Sequence, residues 1–566
     1  MSFTSPAVRW TTLMAAVFAA VFAAAWFSNI GYRKLVKADE GRYAEIPREM
    51  VASGDWLTPR MNGFKYFEKP PLQYWATATA YTLFGVSEWT TRLWTALTAL
   101  AGIALVWLAG NRAFGPPVGR FAALALGGMS LYQFVGSFVT LDMGVSFFMS
   151  LAVFSVMLAQ IDSTPEHERR LWMLLGWAGM ALAVLSKGLI GLVLPIAAVG
   201  MYILLRRDWA VLGRLYLFQG GLLFLAIAAP WFIAVSLANP EFFDFFFIQE
   251  HFRRFLTKQH GRYQPAWYFI PVLVAGTMPW LLVVGAGVWK AIREREPRRF
   301  NPAMFLVVWC AIVFLFFSVS SSKLASYVLP IFPALALLAG RYLPSASRWL
   351  LAVQAAFAVI AGAATIYLSG KLIGFAARDL PADMLAAYAP WVQAAGLALA
   401  LLGTVAFWTA LRREIMVTGL LLTTGSVIFM QLVITGHEAL SPLYSAYHTI
   451  DKVRPLLKPG VPFYAVNSFD HTMPFYLGRT VTMVSYRDEL AVPIGWEPEK
   501  FIPDLPAFAE AWKRDREAYA FFATKDFEEF RVRYDIPVEV LASDPRRVLV
   551  RKPVNPSPKP DPEVAR

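Results

Sequence analysis

Two charged segments near the N-terminus interrupt a largely apolar sequence. Residues 39–45 read DEGRYAE and residues 66–72 read YFEKPPL. Both follow the first apolar stretch and precede the next group of apolar stretches, where neutral residues would suffice for a structural link. Carboxylates beside lysine and arginine can bind an anionic group and stabilise a charged transition state. The two segments therefore indicate chemistry at a membrane surface.

Other ionisable residues lie near the ends of later apolar stretches, on the same predicted side of the membrane. Such side chains at membrane depth are costly and commonly mark a site or a pathway. Snorkelling to the interface is the alternative for Lys187 or Lys323 taken alone. Their common side favours one shared site. The further candidates are Asp142, Lys187, His251, Arg254 and Lys323.

The composition defines the elements that must position these residues. The chain has 566 residues, of which 57% are hydrophobic and only 16% are charged, which is too little polar surface for a soluble protein of this size. Apolar windows of helical length predict a polytopic α-helical membrane protein with about thirteen spans. The predicted spans are 11–30, 89–110, 118–138, 142–160, 170–186, 188–205, 212–236, 266–290, 302–320, 327–343, 347–368, 389–411 and 414–435.

The short apolar stretch at 71–86 is predicted to lie in the membrane interface. The first span is followed at once by the charged segment and has no small-residue cleavage pattern, so we expect it to stay attached. The one cysteine, Cys310, rules out an intrachain disulfide.

Positive charge in short loops predicts the orientation. With a cytoplasmic N-terminus, the most basic short loops fall on the cytoplasmic side, and residues 437–566 fall outside the cytoplasm. We therefore predict a membrane domain at 1–436, with its first outer loop at 31–88, and a soluble domain at 437–566 on the outer side. Alternating strand and helix patterns indicate that the second domain is a small α/β domain. Its strands are expected at 461–467, 481–486, 518–523, 538–542 and 547–551. Its Pro-rich end, from Pro553, is predicted to be a disordered tail.

The same cations suggest the kind of substrate. Lysine and arginine bind phosphate, and carboxylates can act on a sugar or its transition state, so a lipid-linked phosphate is the candidate substrate. The sequence contains neither a GxxxxGK[ST] motif nor a GxGxxG motif after a strand, so a nucleotide donor has no support. The net charge of +13 fits anionic lipids and gives no indication of nucleic acid.

The motifs resemble those of a known family. DExRYAEIxREM at 39–50, YFEKPPLxYW at 66–75, EHxxRF at 250–255 and KLxxYVLP at 323–330 are similar to motifs of the bacterial lipid A 4-amino-4-deoxy-L-arabinose transferases, within the wider protein O-mannosyltransferase group. The chain departs from the family pattern at Gly41, where Thr is more frequent, and at Ser322, where Gly is more usual.

The resemblance implies a GT-C fold and a polyprenyl-phosphate-dependent glycosyltransferase, specifically a pentosyltransferase. The implied reaction moves the amino sugar from undecaprenyl phosphate to a phosphate of lipid A, at the periplasmic face of the bacterial inner membrane. The modified outer surface would resist polymyxin and other cationic antimicrobial peptides.

Two carboxylates are the catalytic candidates. Asp39, at the position that the family treats as catalytic, would orient the acceptor or stabilise an oxocarbenium-like sugar. Asp142 would bind the donor's amine or share that role. The structural alternative for Asp39 is a helix N-cap. For Glu68 beside Lys69 it is an exposed ion pair, although Pro70 and Pro71 would make that loop rigid.

The remaining candidates bind substrate. Lys69, Arg254 and Tyr327 are predicted to support the carrier phosphate, with Lys187, Arg42 and Lys323 as further phosphate contacts and Tyr66 as another substrate-binding residue. No cofactor is expected to be required. Glu68 and His251 are candidate ligands of a divalent metal, zinc or magnesium, although their spacing is not a recognisable zinc motif.

Two other functions stay open at this point. A related GT-C enzyme could glycosylate a protein hydroxyl, which would require Asp39 as a true base. A lipid transporter or flippase would be expected to show repeated halves with broken midplane helices, and the sequence shows neither.

Overall fold

The chain folds into a bundle of membrane-length helices with a charged outer loop and a sheet domain packed against one end. The computed structural model describes residues 20–253, 263–294, 299–377, 380–534 and 537–553, without the side chains of 250–253. The helices of the bundle are Glu88–Phe114, Pro116–Gly128, Ser130–Gly136, Leu141–Gln160, Glu166–Lys187, Ile190–Arg206, Leu217–Ala238, Phe269–Gly276, Leu281–Arg293, Pro302–Val319, Phe332–Tyr342, Arg348–Ser369, Ala382–Leu411 and Ile415–Gly436.

Within the described ranges, eight helical segments are long and apolar enough to cross a membrane. A ninth is possible if the bent pair Ala266–Gly276 and Leu281–Arg293, at 114° to each other, forms one span. The protein is therefore a multi-pass membrane protein, as predicted. The count of about thirteen spans stays a prediction. The first predicted span lies partly outside the described residues, which begin at 20.

Local backbone breaks explain part of the difference in span number. The predicted span 118–138 is divided at Met129, whose extended backbone (ψ 122°) separates helix Pro116–Gly128 from helix Ser130–Gly136. The segment predicted at 188–205 is the 17-residue helix Ile190–Arg206. Apolar content predicts burial in the membrane, but a break depends on local backbone geometry that an apolar window does not record.

Small residues bring neighbouring spans close together. A Cβ atom added at Gly362 would lie 2.5 Å from the carbonyl oxygen of Gly396 on the adjacent helix. Such close backbone approach is the usual role of glycine between membrane helices. These two helices, Arg348–Ser369 and Ala382–Leu411, are packed together along much of their length.

The first outer loop contains two helices and a short hairpin. Helix Asp39–Ser53 ends at Gly54, which has a positive φ of 74°. Strands Arg60–Met61 and Phe64–Lys65 form a hairpin whose turn residues, Asn62 and Gly63, both have positive φ. Asn-Gly is the sequence that such a two-residue turn favours. Helix Leu72–Phe84 follows, and its 13 residues rise about 20 Å, which is too short to cross a hydrocarbon core.

The C-terminal part is an α/β domain, as predicted. Its sheet has six strands in the order Phe501–Ile502, Thr482–Val484, Phe463–Val466, Tyr519–Ala523, Arg547–Arg551 and Glu539–Ser543. The first four strands are parallel, and the last two pairings are antiparallel. Helices Met473–Leu477, Ala491–Trp496, Leu505–Arg514 and Thr524–Arg533 accompany the sheet. The predicted tail lies outside the described residues from 554 onward.

The outer loop and the C-terminal domain share one hydrophobic core. Tyr43, Ile46 and Tyr74 of the loop are buried in the same cluster as Phe463 and Phe475 of the domain. The loop is therefore held between the membrane helices and the sheet domain. The division of the chain at residue 436 stays a prediction.

Candidate active site

Asp39 and Arg42 lie one turn apart on the first helix of the outer loop. Asp39 is the first residue of helix Asp39–Ser53, and the N-cap is Ala38, so the N-cap interpretation of Asp39 is wrong. The side chain of Asp39 is 47% exposed, whereas that of Arg42 is 8% exposed. One guanidinium nitrogen of Arg42 donates to Asp39 Oδ1 at 2.6 Å. The helix thus presents an accessible carboxylate backed by a buried cation.

The C-terminal domain supplies a second carboxylate to the same arginine. Arg42 donates through Nε to Glu489 Oε1 at 3.1 Å and through Nη2 to Glu489 Oε2. His471 Nε2 lies 2.7 Å from Glu489 Oε1. Burial opposes ionisation of Glu489, but His471 and Arg42 prevail and hold its pKa at about 2. Glu489 is therefore a carboxylate anion at neutral pH.

A buried ion pair positions the Asp39 helix relative to the helix that begins beside Asp142. Glu40 accepts two hydrogen bonds from Arg92, both at 2.8 Å, and Glu40 Oε1 also accepts from the backbone N–H of Val139 at 3.0 Å. Arg92 further donates to the carbonyl oxygens of Ile30 and Arg33. Glu40 thus has a structural role, since both of its oxygens are used in joining segments.

Asp142, Lys187 and Tyr327 come together from three segments. Asp142 Oδ1 forms an ion pair with Lys187, and Asp142 Oδ2 accepts from the hydroxyl of Ser326 at 2.8 Å. Lys187 Nζ lies 4.6 Å from the centre of the Tyr327 ring, within the range of a cation–π contact. The structure thus groups three of the predicted site residues and adds Ser326.

Tyr43 is buried next to Arg42, whose guanidinium carbon lies 5.6 Å from the centre of the tyrosine ring. Burial raises the pKa of its hydroxyl, Asp39, Glu68 and Asp142 add to that rise, and Arg42 opposes it. Tyr43 and Leu141 are buried in the same hydrophobic cluster. The first outer loop and the start of helix Leu141–Gln160 are therefore packed against each other.

Glu68 and Lys69 form a contact, but not an exposed one. Lys69 Nζ donates to the backbone oxygen of Glu68 at 2.8 Å and lies 3.8 Å from Glu68 Oε2. Their side chains are 18% and 16% exposed, respectively. The exposed-pair interpretation is therefore wrong. Tyr66, just before them, is buried, and its hydroxyl has no hydrogen-bond partner among the described residues, so it can serve a ligand.

Lys323, three residues before Ser326, is buried. Its ammonium donates to the carbonyl oxygens of Gln264, at 2.9 Å, and of Ser320. Two of its three donors thus tie backbone segments together. A phosphate contact by Lys323 stays a prediction.

Two predicted contacts lie outside the described residues. Arg254 is one, and the side chain of His251 is the other. Among described residues there is no group of three His, Cys, Asp or Glu side chains suited to a metal. The metal role of Glu68 and His251 therefore stays a prediction.

Sequence reasoning missed Glu489, His471 and Ser326. Glu489 and His471 are more than 400 positions from Arg42 in the sequence. They belong to the C-terminal domain, which was predicted to be separate from the membrane domain. Ser326 lies directly before Tyr327 within the KLxxYVLP motif, at a position that the motif leaves open. That adjacency was the one available signal for Ser326.

Comparison with known proteins places this geometry in context. Residues 449–552 match the family model "Aminoarabinose transferase C-terminal domain". Residues 11–246 match the model "Dolichyl-phosphate-mannose-protein mannosyltransferase". The two models therefore match the C-terminal domain and the N-terminal half of the membrane part.

Among curated relatives, the chain is similar to proteins named undecaprenyl phosphate-alpha-4-amino-4-deoxy-L-arabinose arabinosyl transferase. That from Edwardsiella ictaluri is 32% identical over 337 residues, and that from Serratia proteamaculans is 33% identical over 343 residues. Each alignment covers 59% of this chain and 59% of the relative. The sequence match thus spans less than two thirds of the length of these relatives.

Solved structures extend the match to nearly the whole chain. The crystal structure of ArnT from Cupriavidus metallidurans bound to undecaprenyl phosphate has a TM-score of 0.91 and 36% identity, covering 96% of this chain and 99% of that one. The oligosaccharyltransferase AglB from Archaeoglobus fulgidus, at 13% identity and a TM-score of 0.50, shares the fold alone. The helical bundle, charged outer loop and sheet domain thus define a protein of the GT-C glycosyltransferase fold class. Within that class, the chain belongs to the ArnT aminoarabinose transferase family.

Proposed function

We propose that this protein transfers 4-amino-4-deoxy-L-arabinose from undecaprenyl phosphate to a phosphate group of lipid A. The observation that carries the proposal is the presence of two charged pairs, Asp39 with Arg42 and Asp142 with Lys187. Their elements are in direct contact, because Glu40 accepts from the backbone N–H of Val139. The names of the curated relatives and the lipid carrier in the related crystal structure support the same donor.

The acceptor needs little activation. A phosphate has a second pKa near 6, so it is largely an oxyanion at neutral pH. A phosphate oxygen of lipid A would attack the anomeric carbon of the sugar, and the bond from that carbon to the carrier phosphate oxygen would break. The electron pair of that bond stays on the carrier phosphate. The step therefore balances without a proton donor and without a strong base.

Asp39 would act on the sugar during this step. Its half-exposed carboxylate can stabilise positive charge at the anomeric carbon or orient the acceptor, while Arg42 fixes its position. Asp142 is the second carboxylate. It holds Lys187 beside Tyr327, and it would also offer a contact to the amine of the donor.

Cations and a tyrosine would support the leaving phosphate. Lys69, Tyr327 and Arg254 are the proposed contacts, with Lys187, Arg42 and Lys323 as additional ones. Tyr66, whose hydroxyl has no hydrogen-bond partner among the described residues, is a further substrate contact. Charge-assisted hydrogen bonds to an anion are among the strong contacts available to a protein. The proposed step requires no cofactor. A divalent cation at Glu68 and His251 would add charge beside the carrier phosphate, and chelator treatment of the purified enzyme tests that addition.

We further propose that the site faces the periplasm from the bacterial inner membrane. The basic residues in the short loops of the opposite side support a cytoplasmic location for those loops. Lipid A modified there would carry an added amine and less net negative charge. The expected consequence is resistance to polymyxin and related cationic peptides.

Mass spectrometry of lipid A tests the function. The chain is expressed in a bacterium that makes the donor but lacks its own transferase, beside an Asp39→Asn variant and an empty vector. The expected result is lipid A carrying the amino sugar with the parent chain alone. Unmodified lipid A together with a newly glycosylated protein hydroxyl would contradict the proposed acceptor, and movement of the donor lipid without any transfer would indicate a flippase.

A further inference from the structure

A continuous line of polar contacts joins the C-terminal domain to the exposed carboxylate of the site. It runs from His471 to Glu489, then to Arg42, and ends at Asp39. We infer that the C-terminal domain completes the active site, because Glu489, held by His471, fixes the guanidinium that orients Asp39. This inference rests on the transferase activity proposed above and assigns Glu489 and His471 as positioning residues.

The planar guanidinium of Arg42 links the position of Glu489 to that of Asp39. Glu489 accepts from Nε and Nη2 of Arg42, which is a two-point contact, and Asp39 accepts from Nη1. A guanidinium is planar and presents its donors at fixed angles. The direction from which Arg42 meets Asp39 is therefore set by the contact with Glu489.

Differences in burial show which end of the line is fixed. Arg42, Glu489 and His471 are 8%, 19% and 9% exposed in their side chains, whereas Asp39 is 47% exposed. The three inner members are enclosed between the outer loop and the domain. Asp39 alone opens to the space where a substrate would lie, so its orientation depends on the enclosed side.

The domain lies directly against the helix that carries Asp39 and Arg42. A Cβ atom at Gly41 would lie 2.5 Å from the carbonyl carbon of His471 and 2.6 Å from the backbone nitrogen of Thr472. Because the obstructing atoms are backbone, a side-chain rotation would not relieve the contact. Gly41, where this chain departs from the more frequent Thr, thus permits the close approach that brings Glu489 to Arg42.

A second ion pair across the same interface provides a matched control. Glu497, in the same segment of the domain, contacts Arg60 of the hairpin at 3.0 Å and Lys500 at 2.7 Å. It is also a largely buried carboxylate at the domain boundary, with a side chain that is 13% exposed. Glu497 contacts neither Arg42 nor Asp39. Glu497→Gln therefore removes an ion pair at the interface but keeps the contacts from His471 through Glu489 and Arg42 to Asp39.

The experiment compares steady-state transfer by the full-length parent, Glu489→Gln, Glu489→Asp and Glu497→Gln, each checked for folding by size-exclusion chromatography. We expect Glu489→Gln to lower kcat by about 10- to 100-fold, since Asp39 loses its fixed orientation. KM for the donor should stay within about twofold. Glu489→Asp should recover part of kcat, and Glu497→Gln should match the parent.

Distinct results would overturn the inference. A parent-level kcat in Glu489→Gln would overturn it. Equal losses of kcat in Glu489→Gln and Glu497→Gln would also overturn it, because they would indicate general loosening of the interface. If Glu489→Gln does not fold, His471→Asn takes its place. We then expect a smaller loss of kcat, and a parent-level kcat would overturn the inference. An inactive parent would overturn the proposed function and this inference together, whereas an active parent beside a fully active Glu489→Gln would overturn the inference alone.

Discussion

Three of the candidate cations lie beside carboxylates. Arg42 contacts Asp39 and Glu489, Lys187 contacts Asp142, and Lys69 lies 3.8 Å from Glu68. Partly buried charges are stabilised by such pairing, since an unpaired one is costly. A phosphate that binds here must therefore share or displace existing contacts, so positioning matters as much as net positive charge.

Removal of Lys69 tests its assignment to the carrier phosphate. Loss of a charge-assisted hydrogen bond costs about 1.5–3 kcal/mol, so Lys69→Ala should weaken the binding of undecaprenyl phosphate without sugar by roughly 10- to 150-fold. The same loss is expected of Arg254→Ala. Affinity measured in one detergent for these variants and for Asp39→Asn checks the assignment.

Two variants serve as references in that measurement. Asp39→Asn should leave carrier-phosphate affinity nearly unchanged, because Asp39 is assigned to the sugar, and Lys513→Ala removes an exposed cation of the C-terminal domain. Equal losses in Lys69→Ala and Asp39→Asn would mean that the cavity collapses in general. Parent-level affinity in Lys69→Ala would remove that residue from the phosphate site.

The ionisation of Glu489 should make the stability of the interface depend on pH. Its pKa falls from an ordinary 4.5 to about 2, a shift that corresponds to roughly 3 kcal/mol of stability. Because the folded-state pKa is depressed, this contribution is complete above about pH 4.5 and is lost as the pH falls towards 2. The difference in free energy of unfolding between the parent and Glu489→Gln, measured by thermal unfolding, should therefore decrease below about pH 5. A difference that stays constant or increases on acidification would contradict a depressed pKa of Glu489 in the folded protein.

Among the elements of the fold, the contact between helix Asp39–Ser53 and helix Glu88–Phe114 positions the proposed catalytic carboxylates. The buried pair of Glu40 and Arg92 makes this contact and also binds the backbone of Val139, three residues before Asp142. A shift of this pair would move Asp39 relative to Asp142. The pair thus links the stability of the outer loop to the geometry of the site.

Arg92→Met should be strongly destabilising, because it leaves the carboxylate of Glu40 buried without its partner. The expected cost is about 3–5 kcal/mol, visible as a lower midpoint in thermal unfolding. The double variant Glu40→Gln with Arg92→Met removes both charges and should be less destabilised than Arg92→Met alone. A double variant that is less stable than Arg92→Met would contradict this expectation, because the unpaired Glu40 carboxylate would then still stabilise the fold through its contacts with backbone N–H groups.

The elements themselves were largely predictable from the sequence. Strands expected at 461–467 and 518–523 are Phe463–Val466 and Tyr519–Ala523, because apolar alternation and turn residues are local signals. Asp39, Asp142, Lys187 and Tyr327 were also predictable as candidates, from motifs and from charges at the ends of spans. Their partners were not. The contact of Arg42 with Glu489 joins residues 447 positions apart, and no local pattern encodes such a pairing. The strand Phe501–Ile502 was missed because two residues are too few to show a period.

For the whole molecule, the outer loop and the C-terminal domain must lie on one side of the membrane. They share a hydrophobic core and the ion pairs of Glu489 and Glu497, so they fold together. The basic loops are expected on the opposite side. The site therefore lies where the membrane bundle meets the sheet domain.

Single-cysteine labelling tests this topology. On a Cys310→Ala background, cysteines at Lys65 and Lys513 should react with a membrane-impermeant maleimide added to intact spheroplasts. A cysteine at Arg112, whose side chain is 55% exposed in a basic loop, should react only after lysis. Labelling of Arg112→Cys but not Lys513→Cys in intact spheroplasts would reverse the orientation.

The central claim is that this chain itself moves the amino sugar from its lipid carrier to a lipid A phosphate. The most direct measurement is a reconstituted reaction with purified protein, the undecaprenyl-phosphate-linked donor and lipid A in liposomes, with products identified by mass spectrometry. The expected result is lipid A bearing one added amino sugar on phosphate, together with released undecaprenyl phosphate. Asp39→Asn should form neither product while remaining folded. Product formation by Asp39→Asn at the parent rate, or unmodified lipid A with the folded parent protein and intact donor, would contradict the proposed function.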